Sequence, residues 1–159
     1  MAPFTSLYID GETVQASNGE SFEVRNPYSG KVVGTAASAS SVDCKAAIEA
    51  AGRAFKTWEH SSPNVRRDIF LKAADLLAGD KYKSKITEAI KEETAGADYW
   101  GAFNCTIAVN FLRTQAGLVD HLKGDIYPSG SVPGAQIISQ RRAMGVMWAV
   151  DVLVPSSCS

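Results

Sequence analysis

Residues 7–58 read LYIDGETVQASNGESFEVRNPYSGKVVGTAASASSVDCKAAIEAAGRAFKTW. Within this stretch the apolar residues pass from a spacing of two to a spacing near four, the change that separates strand from helix. Asp10-Gly11 lies between the apolar runs LYI and TV, and both residue types tolerate the positive φ of a tight hairpin turn. Asn26-Pro27-Tyr28-Ser29-Gly30 makes a second turn, with proline presetting φ and glycine free to enter the left-handed region. The spacing therefore predicts small antiparallel β elements from Leu7 to Thr35. Ser40 or Ser41 then caps a helix running to Trp58, with Ala47, Ala51 and Phe55 expected on its buried stripe.

C-terminal to this stretch the helical period continues. Ser62-Pro63 is a cap and first-turn pair, because the missing proline N–H would have no intrahelical partner there. Val65, Ile69, Ala73 and Leu76 form the expected stripe of this second helix. Gly79-Asp80 ends it, and YKSKITEAIKEET starts a third, lysine-rich helix. The longest pattern runs from about Ala97 to Lys123, about 40 Å of helix at ~1.5 Å per residue. Its stripe of Phe103, Ile107, Phe111, Leu118 and Leu122 reads as core. After Gly124 the period returns to two. Residues 125–128 and 135–140, joined by SGSVPG, read as a hairpin, and Gly145–Val150 as a buried strand of a parallel sheet. Such a strand needs ladder partners on both sides that the preceding helices do not supply, so the pattern suggests a fragment of an α/β fold.

Composition narrows the function classes. The 159 residues carry 16 basic and 17 acidic side chains, a formal net charge of −1, so no electrostatic footprint for nucleic acid or an anionic membrane is present. A compact domain of this length would bury roughly 68–70% of its unfolded surface. The opening MAPFTSLYIDGE lacks a basic segment leading into an apolar run, and no apolar run approaches the ~20 residues of a membrane helix, so the cytosol is the expected compartment. Cys44, Cys105 and Cys158 have neither CxxC spacing nor an even count, which argues against a disulfide framework or a zinc site. His60 and His121 lack ligand partners at helical spacing, and each reads as a surface or boundary residue.

Motifs for chemistry are sparse. GxGxxG, GxxxxGK[ST] and GxSxG are all absent. Glu92 and Glu93 point about 100° apart on a helix, so with Asp98 they read as solvated charges rather than an acid/base pair. Cys158, next to last, lacks the fixed surroundings a nucleophile requires. No catalytic, cofactor-binding or metal-ligating residue is assigned.

The quoted stretch nonetheless resembles the start of the aldehyde dehydrogenase superfamily, in which a Y-I-D-G strand, a V-x-N-P-x-T/S-G turn and an alanine-rich helix ending in Trp follow in this order. The likeness continues through RRDIFLKAADLLAGDK, through Glu92-Glu93-Thr94-Ala95-Gly96 and through QAGLVDHLKGDIYPSG, covering about residues 6–147. Residues 92–104, EETAGADYWGAFN, are closest to the salicylaldehyde and aromatic-aldehyde branch.

The resemblance implies that residues 1–147 are the N-terminal part of the cofactor and oligomerisation region, with 148–159 a divergent tail. It implies β-hairpin arms, four helices, an oligomerisation hairpin between Ile126 and Gln140, and one strand of an incomplete Rossmann-like sheet. By family, a cysteine forms a thiohemiacetal, hydride passes to NAD or NADP, and a glutamate base assists hydrolysis. An asparagine amide in a Pro-Trp-Asn segment stabilises the oxyanion; counting on from Gly145 places Val152, Leu153 and Val154 there, and valine offers no donor. None of the family's catalytic residues maps onto this chain, Ile107 falls near the aldehyde entrance, and no nicotinamide is expected to bind this fragment alone. An aldehyde is the implied small-molecule partner. Two alternatives remain open: an interaction protein that self-associates or pairs with a full-length homologue by strand addition, and an unstable truncated product.

Overall fold

The computed structural model describes residues 3–149. β1 (Phe4–Thr5), β2 (Leu7–Ile9) and β3 (Glu12–Val14) open the chain, with β2 and β3 paired antiparallel so that Leu7 faces Val14 and Ile9 faces Glu12. Asp10 and Gly11 turn this hairpin with φ of 55° and 83°, the positive pair expected of an Asp-Gly loop. β4 (Ser21–Arg25) and β5 (Val32–Ala37) form the second hairpin. Its turn is organised by Asn26, whose Oδ1 accepts the N–H groups of Tyr28 and Ser29 at 3.1 and 2.9 Å, and Gly30 takes the left-handed φ of 69°. β1 adds to β5 in parallel, giving a three-stranded sheet in the order β1-β5-β4.

Four helices follow among the described residues: α1 (Ser41–Trp58), α2 (Pro63–Ala78), α3 (Asp80–Thr94) and α4 (Asp98–Leu118). Ser40 caps α1 in a full capping box, accepting from Val42 and Asp43 while Asp43 accepts from the Ser40 N–H. Ser62 accepts from Val65 at the start of α2, with Pro63 in the first turn. Gly79, with extended backbone, separates α2 from α3, and Ala95 closes α3 in the left-handed region at φ 54°. α4 stops at Leu118, short of the expected Lys123, because the chain tightens into a 3-10 turn at Val119–His121. The expected hairpin of β6 (Asp125–Pro128) and β7 (Gln136–Ser139) lies beyond it, with Ile126 opposite Ile138 and Tyr127 opposite Ile137.

α2 and α3 both pack on α4, and the core is built from small side chains. Ala16, Ala37, Ala50, Ala74, Cys105, Val109, Ala116 and Val119 are its buried apolar members. On α4 the buried residues are Gly101, Cys105, Val109 and Ala116. At ~100° per residue the expected core stripe lies on roughly the opposite side of the helix. Phe103, Phe111, Leu118 and Leu122 are exposed there, and Ile107 is half-buried. This corrects the reading of that stripe as core: glycine, cysteine and alanine permit the close approach, and the bulky residues point away.

The same correction applies to α1 and α2. Ala47 and Ala51 are exposed, whereas Asp43 and Ala50 are buried; on α2, Val65, Ile69 and Leu76 are exposed and Ala74 is fully buried. The expected strand from Gly145 is also corrected: residues 145–149 form no strand, and Val146, Met147 and Trp148 are exposed. A strand requires a neighbour to accept its ladder bonds, and β7 already ends at Ser139. Val150, the rest of that run and the Cys158 and Val152–Val154 positions lie outside the described residues.

Candidate functional site

Among the described residues, the titratable and reactive side chains singled out in the sequence do not converge. Cys44 is exposed on α1, whereas Cys105 is buried at the α3–α4 interface with its Sγ 4.0 Å from the Lys83 carbonyl oxygen. His60 is exposed beside Glu59 at 3.6 Å, and His121 is exposed in the 3-10 turn. Among the described residues no group of three or more His, Cys, Asp or Glu side chains converges on a point where a metal ion could sit. Glu92 and Glu93 are exposed, and Asp98 pairs with Lys91 at 3.0 Å, a contact that raises the Lys91 pKa. This exposed pair closes one end of an open groove of about 650 Å³ between α3 and α4, lined by charged and hydroxyl side chains of both helices. Its polar, open walls suit solvent better than a bound organic molecule.

A different region has apolar chemistry to offer. Trp100 and Phe103 stack on the outer face of α4 with ring centroids 5.4 Å apart and planes inclined by 25°. Ile107 and Phe111 extend the same stripe at i+4 and i+8 from Phe103. The pair is about half-exposed, so it presents an aromatic surface rather than filling the interior. The i, i+3 spacing of Trp100 and Phe103 was visible in the sequence; that the stripe faces outward was not.

Farther along, the ends of α1, α2 and α4 bound a smaller cleft of about 420 Å³, walled by Trp58, Ile69, Phe70, Leu118 and Leu122 with Arg66 at its edge. Arg66 is the residue that sequence reasoning missed. Its Nε donates to Ser61 Oγ at 2.8 Å and one terminal nitrogen donates to the Trp58 and Glu59 carbonyl oxygens at 3.4 and 3.0 Å. The guanidinium carbon also lies 5.9 Å from the Trp58 ring centroid. A cation on the last carbonyls of α1 meets the negative end of that helix, so Arg66 joins α2 to α1 as a C-terminal cap supplied in trans.

Two further polar hubs hold the β elements to the helices. Asp43 accepts the Ser17 N–H through both carboxylate oxygens, at 3.2 and 3.1 Å, and the Ser40 N–H at 2.8 Å. The backbone bond from Ser40 is the largest cause of its lowered pKa, followed by the opposing effect of burial and the bond from Ser17. Asn26 Nδ2 donates to the Lys91 and Glu92 carbonyl oxygens at 3.3 and 2.9 Å, so the Asn-Pro turn also caps α3.

This succession of paired hairpins, a boxed alanine-rich helix, two helices packed on a long one and a returning hairpin is shared with known proteins. A family model described as "Aldehyde dehydrogenase family" matches residues 14–151, and the chain belongs to that family. It is 38% identical over 144 residues to a vanillin dehydrogenase of Pseudomonas sp. (strain HR199 / DSM 7063), a match covering 91% of this chain and 29% of the relative. In structure it is similar to a salicylaldehyde dehydrogenase from Pseudomonas putida G7 complexed with salicylaldehyde, with a TM-score of 0.82, 27% identity, and 89% of this chain against 28% of that one covered. A NAD-dependent benzaldehyde dehydrogenase from Corynebacterium glutamicum gives a TM-score of 0.74 at 28% identity, covering 82% of this chain and 28% of that one. The chain thus spans less than a third of the length of these relatives. The fold is the mixed α/β arrangement expected, in the portion expected to come first. No helix among the described residues is long and apolar enough to cross a membrane.

Proposed function

We propose that these residues are the N-terminal scaffold of an enzyme that oxidises an aromatic aldehyde to the carboxylic acid with NAD or NADP. Family membership supports aldehyde oxidation, and the aromatic substrates in the names of the three relatives support the narrower class. The outward-facing Trp100–Phe103 pair, continued by Ile107, is the single structural observation that carries the choice of an aromatic substrate. A stacked, half-exposed aromatic surface suits a planar ring, against which offset stacking contributes about 0.5–1.5 kcal/mol beyond area burial.

The covalent chemistry is assigned to residues other than those described. A thiol nucleophile needs a base within hydrogen-bond reach, and among the described residues neither Cys44, exposed on α1, nor Cys105, buried against Lys83, has a histidine or carboxylate hydrogen-bonded to its sulfur. The cofactor supplies hydride acceptance when bound; the described residues supply the packing that supports the aromatic surface. Accordingly the 159-residue chain alone is proposed to be inactive.

The test is spectrophotometric reduction of NAD+ and NADP+ by the purified chain with benzaldehyde, salicylaldehyde and vanillin. No turnover is expected; turnover free of host enzyme would sink the scaffold assignment. Joining these residues to the remaining portion of the vanillin dehydrogenase relative should give a chimera with aromatic-aldehyde activity. Phe103→Ala in that chimera should raise KM for benzaldehyde more than for acetaldehyde.

A second reading rests on the β6–β7 hairpin. All eight of its strand residues are exposed, including Ile126, Tyr127, Ile137 and Ile138. Such a ribbon offers both apolar surface and unpaired edge groups, so pairing with a second copy or a homologue is the non-enzymatic alternative. Co-expression with a tagged full-length relative tests it: failure to co-purify would reject pairing with that relative.

A further inference from the structure

The chain has five asparagines, Asn18, Asn26, Asn64, Asn104 and Asn110, and Asn18 alone is followed by glycine. We propose that Asn18 is a site of spontaneous covalent modification, in which its side-chain amide is lost through a cyclic imide with Gly19. The local geometry of the turn between β3 and β4 favours this reaction.

Asn18 and Gly19 are exposed, and nothing lies within 4 Å of the position a Gly19 Cβ would occupy, so the peptide between them is open to solvent and uncrowded. Asn18 Oδ1 accepts the Glu20 N–H at 3.0 Å. The ring closed by that bond contains both the side-chain carbonyl carbon and the Gly19 nitrogen, so the amide is folded back along the peptide that must attack it. The other four asparagines lack this combination. Asn26 precedes Pro27, whose nitrogen has no proton to release, and Asn64, Asn104 and Asn110 lie in α2 and α4, where the helical backbone holds the following nitrogen away.

In the reaction the Gly19 nitrogen gives its proton to hydroxide and attacks the Asn18 carbonyl carbon. The new C–N bond closes the imide as the bond to Nδ2 breaks, and the departing nitrogen takes a proton from water and leaves as ammonia. Water then opens either imide carbonyl, giving aspartate or isoaspartate. Overall one water is consumed and one ammonia released, with no change of oxidation state. The Gly19 N–H donates to the Ala16 carbonyl oxygen at 2.9 Å, and this bond must open first, which sets the rate below that of the unfolded chain.

The product disturbs the contact that holds this turn to α1. Asn18 Nδ2 donates to Glu20 Oε2 at 3.0 Å, and its conversion places two carboxylates against each other. One residue earlier, Ser17 donates its N–H to Asp43 and shares a 2.7 Å hydroxyl contact with Ser40. Isoaspartate adds a carbon to the backbone directly beside this anchor, so the change is transmitted to the α1 cap.

Peptide mapping by mass spectrometry after incubation of the folded full chain in mildly alkaline buffer tests the proposal. Selective loss of the Asn18 amide is expected, with both acid isomers and no change at the other four asparagines. Asn18→Gln, whose longer side chain closes the corresponding ring poorly, should remain intact while keeping the same circular dichroism spectrum. An Asn18 that stays intact in the folded chain while the denatured chain converts would overturn the proposal, as would equal conversion at a second asparagine. Asn18→Asp, which reproduces one product, should melt at lower temperature than the parent; an unchanged melt would overturn the transmission to α1.

Discussion

Asp43 is ionised against three N–H bonds, and that gives it a defined pH signature. Its folded pKa lies below the ordinary value of 3.8, first because of the Ser40 backbone bond. A depressed carboxylate contributes stability that is complete above the unfolded pKa and lost as pH falls through the lower folded one. Urea midpoints measured from neutral to acid pH should therefore fall through that window, and Asp43→Asn should flatten the acid limb while lowering the neutral plateau. Ser40→Ala removes the acceptor used by Val42 and Asp43, and should cost about 1 kcal/mol in the same titration. For Arg66, whose donors close the C-terminus of α1, replacement by alanine should cost about 1–2 kcal/mol, read as a shift in chemical denaturation midpoint. Lysine should recover only part of that loss, since an ammonium does not reproduce the planar fork.

At the scale of elements, α4 separates two roles by side-chain size. Gly101 sits where a Cβ would meet Thr87 Cγ2 at 2.8 Å and Thr87 Cα at 2.9 Å, so α3 and α4 approach through it. Gly117, on the same helix, has nothing within 4 Å of that position. Glycine-to-alanine exchange in a helix gains up to about 1 kcal/mol in propensity, whereas overpacking costs about 1–3 kcal/mol. The two substitutions should thus have opposite signs: Gly101→Ala lowers the melting temperature and Gly117→Ala raises it, measured by calorimetry on the same preparation. Gly124 makes a related demand at the base of the β6–β7 hairpin, because a Cβ there would overlap the Ser139 carbonyl oxygen. The period of two or near four located these helices and hairpins, and the caps at Ser40 and Ser62 and the turn at Asp10-Gly11 were legible as residue types in their usual places. Which face of each helix turns inward was not legible, because both sides of α2 and α4 carry apolar residues.

For the whole molecule, the described core is made of alanine, valine and cysteine, while Trp58, Tyr99, Trp100, Phe103, Phe111 and Trp148 are all exposed. Apolar surface on this scale favours association. Sedimentation of the purified chain should show concentration-dependent association and binding of a hydrophobic dye, and Ile138→Lys on the hairpin should weaken the association. A monomer at every concentration, without dye binding, would contradict the pairing proposed for the hairpin. Sequence alone determined the order and type of the elements from β2 to β7, though not β1, the 3-10 turn after α4 or the lack of a strand at 145–149; turn chemistry, capping and period are local properties, and they carried the family through the ordered Y-I-D-G, N-P-Y-S-G and alanine-rich motifs. The sorting of α4 into a small packing face and an aromatic outer face depended on the packed structure. So did the joining of Asn26 to α3, Arg66 to α1 and Asp43 to Ser17, since each links residues whose meeting depends on how distant segments pack. Close approach of backbones selects small side chains for the interior, and only the assembled helices determine where that approach occurs.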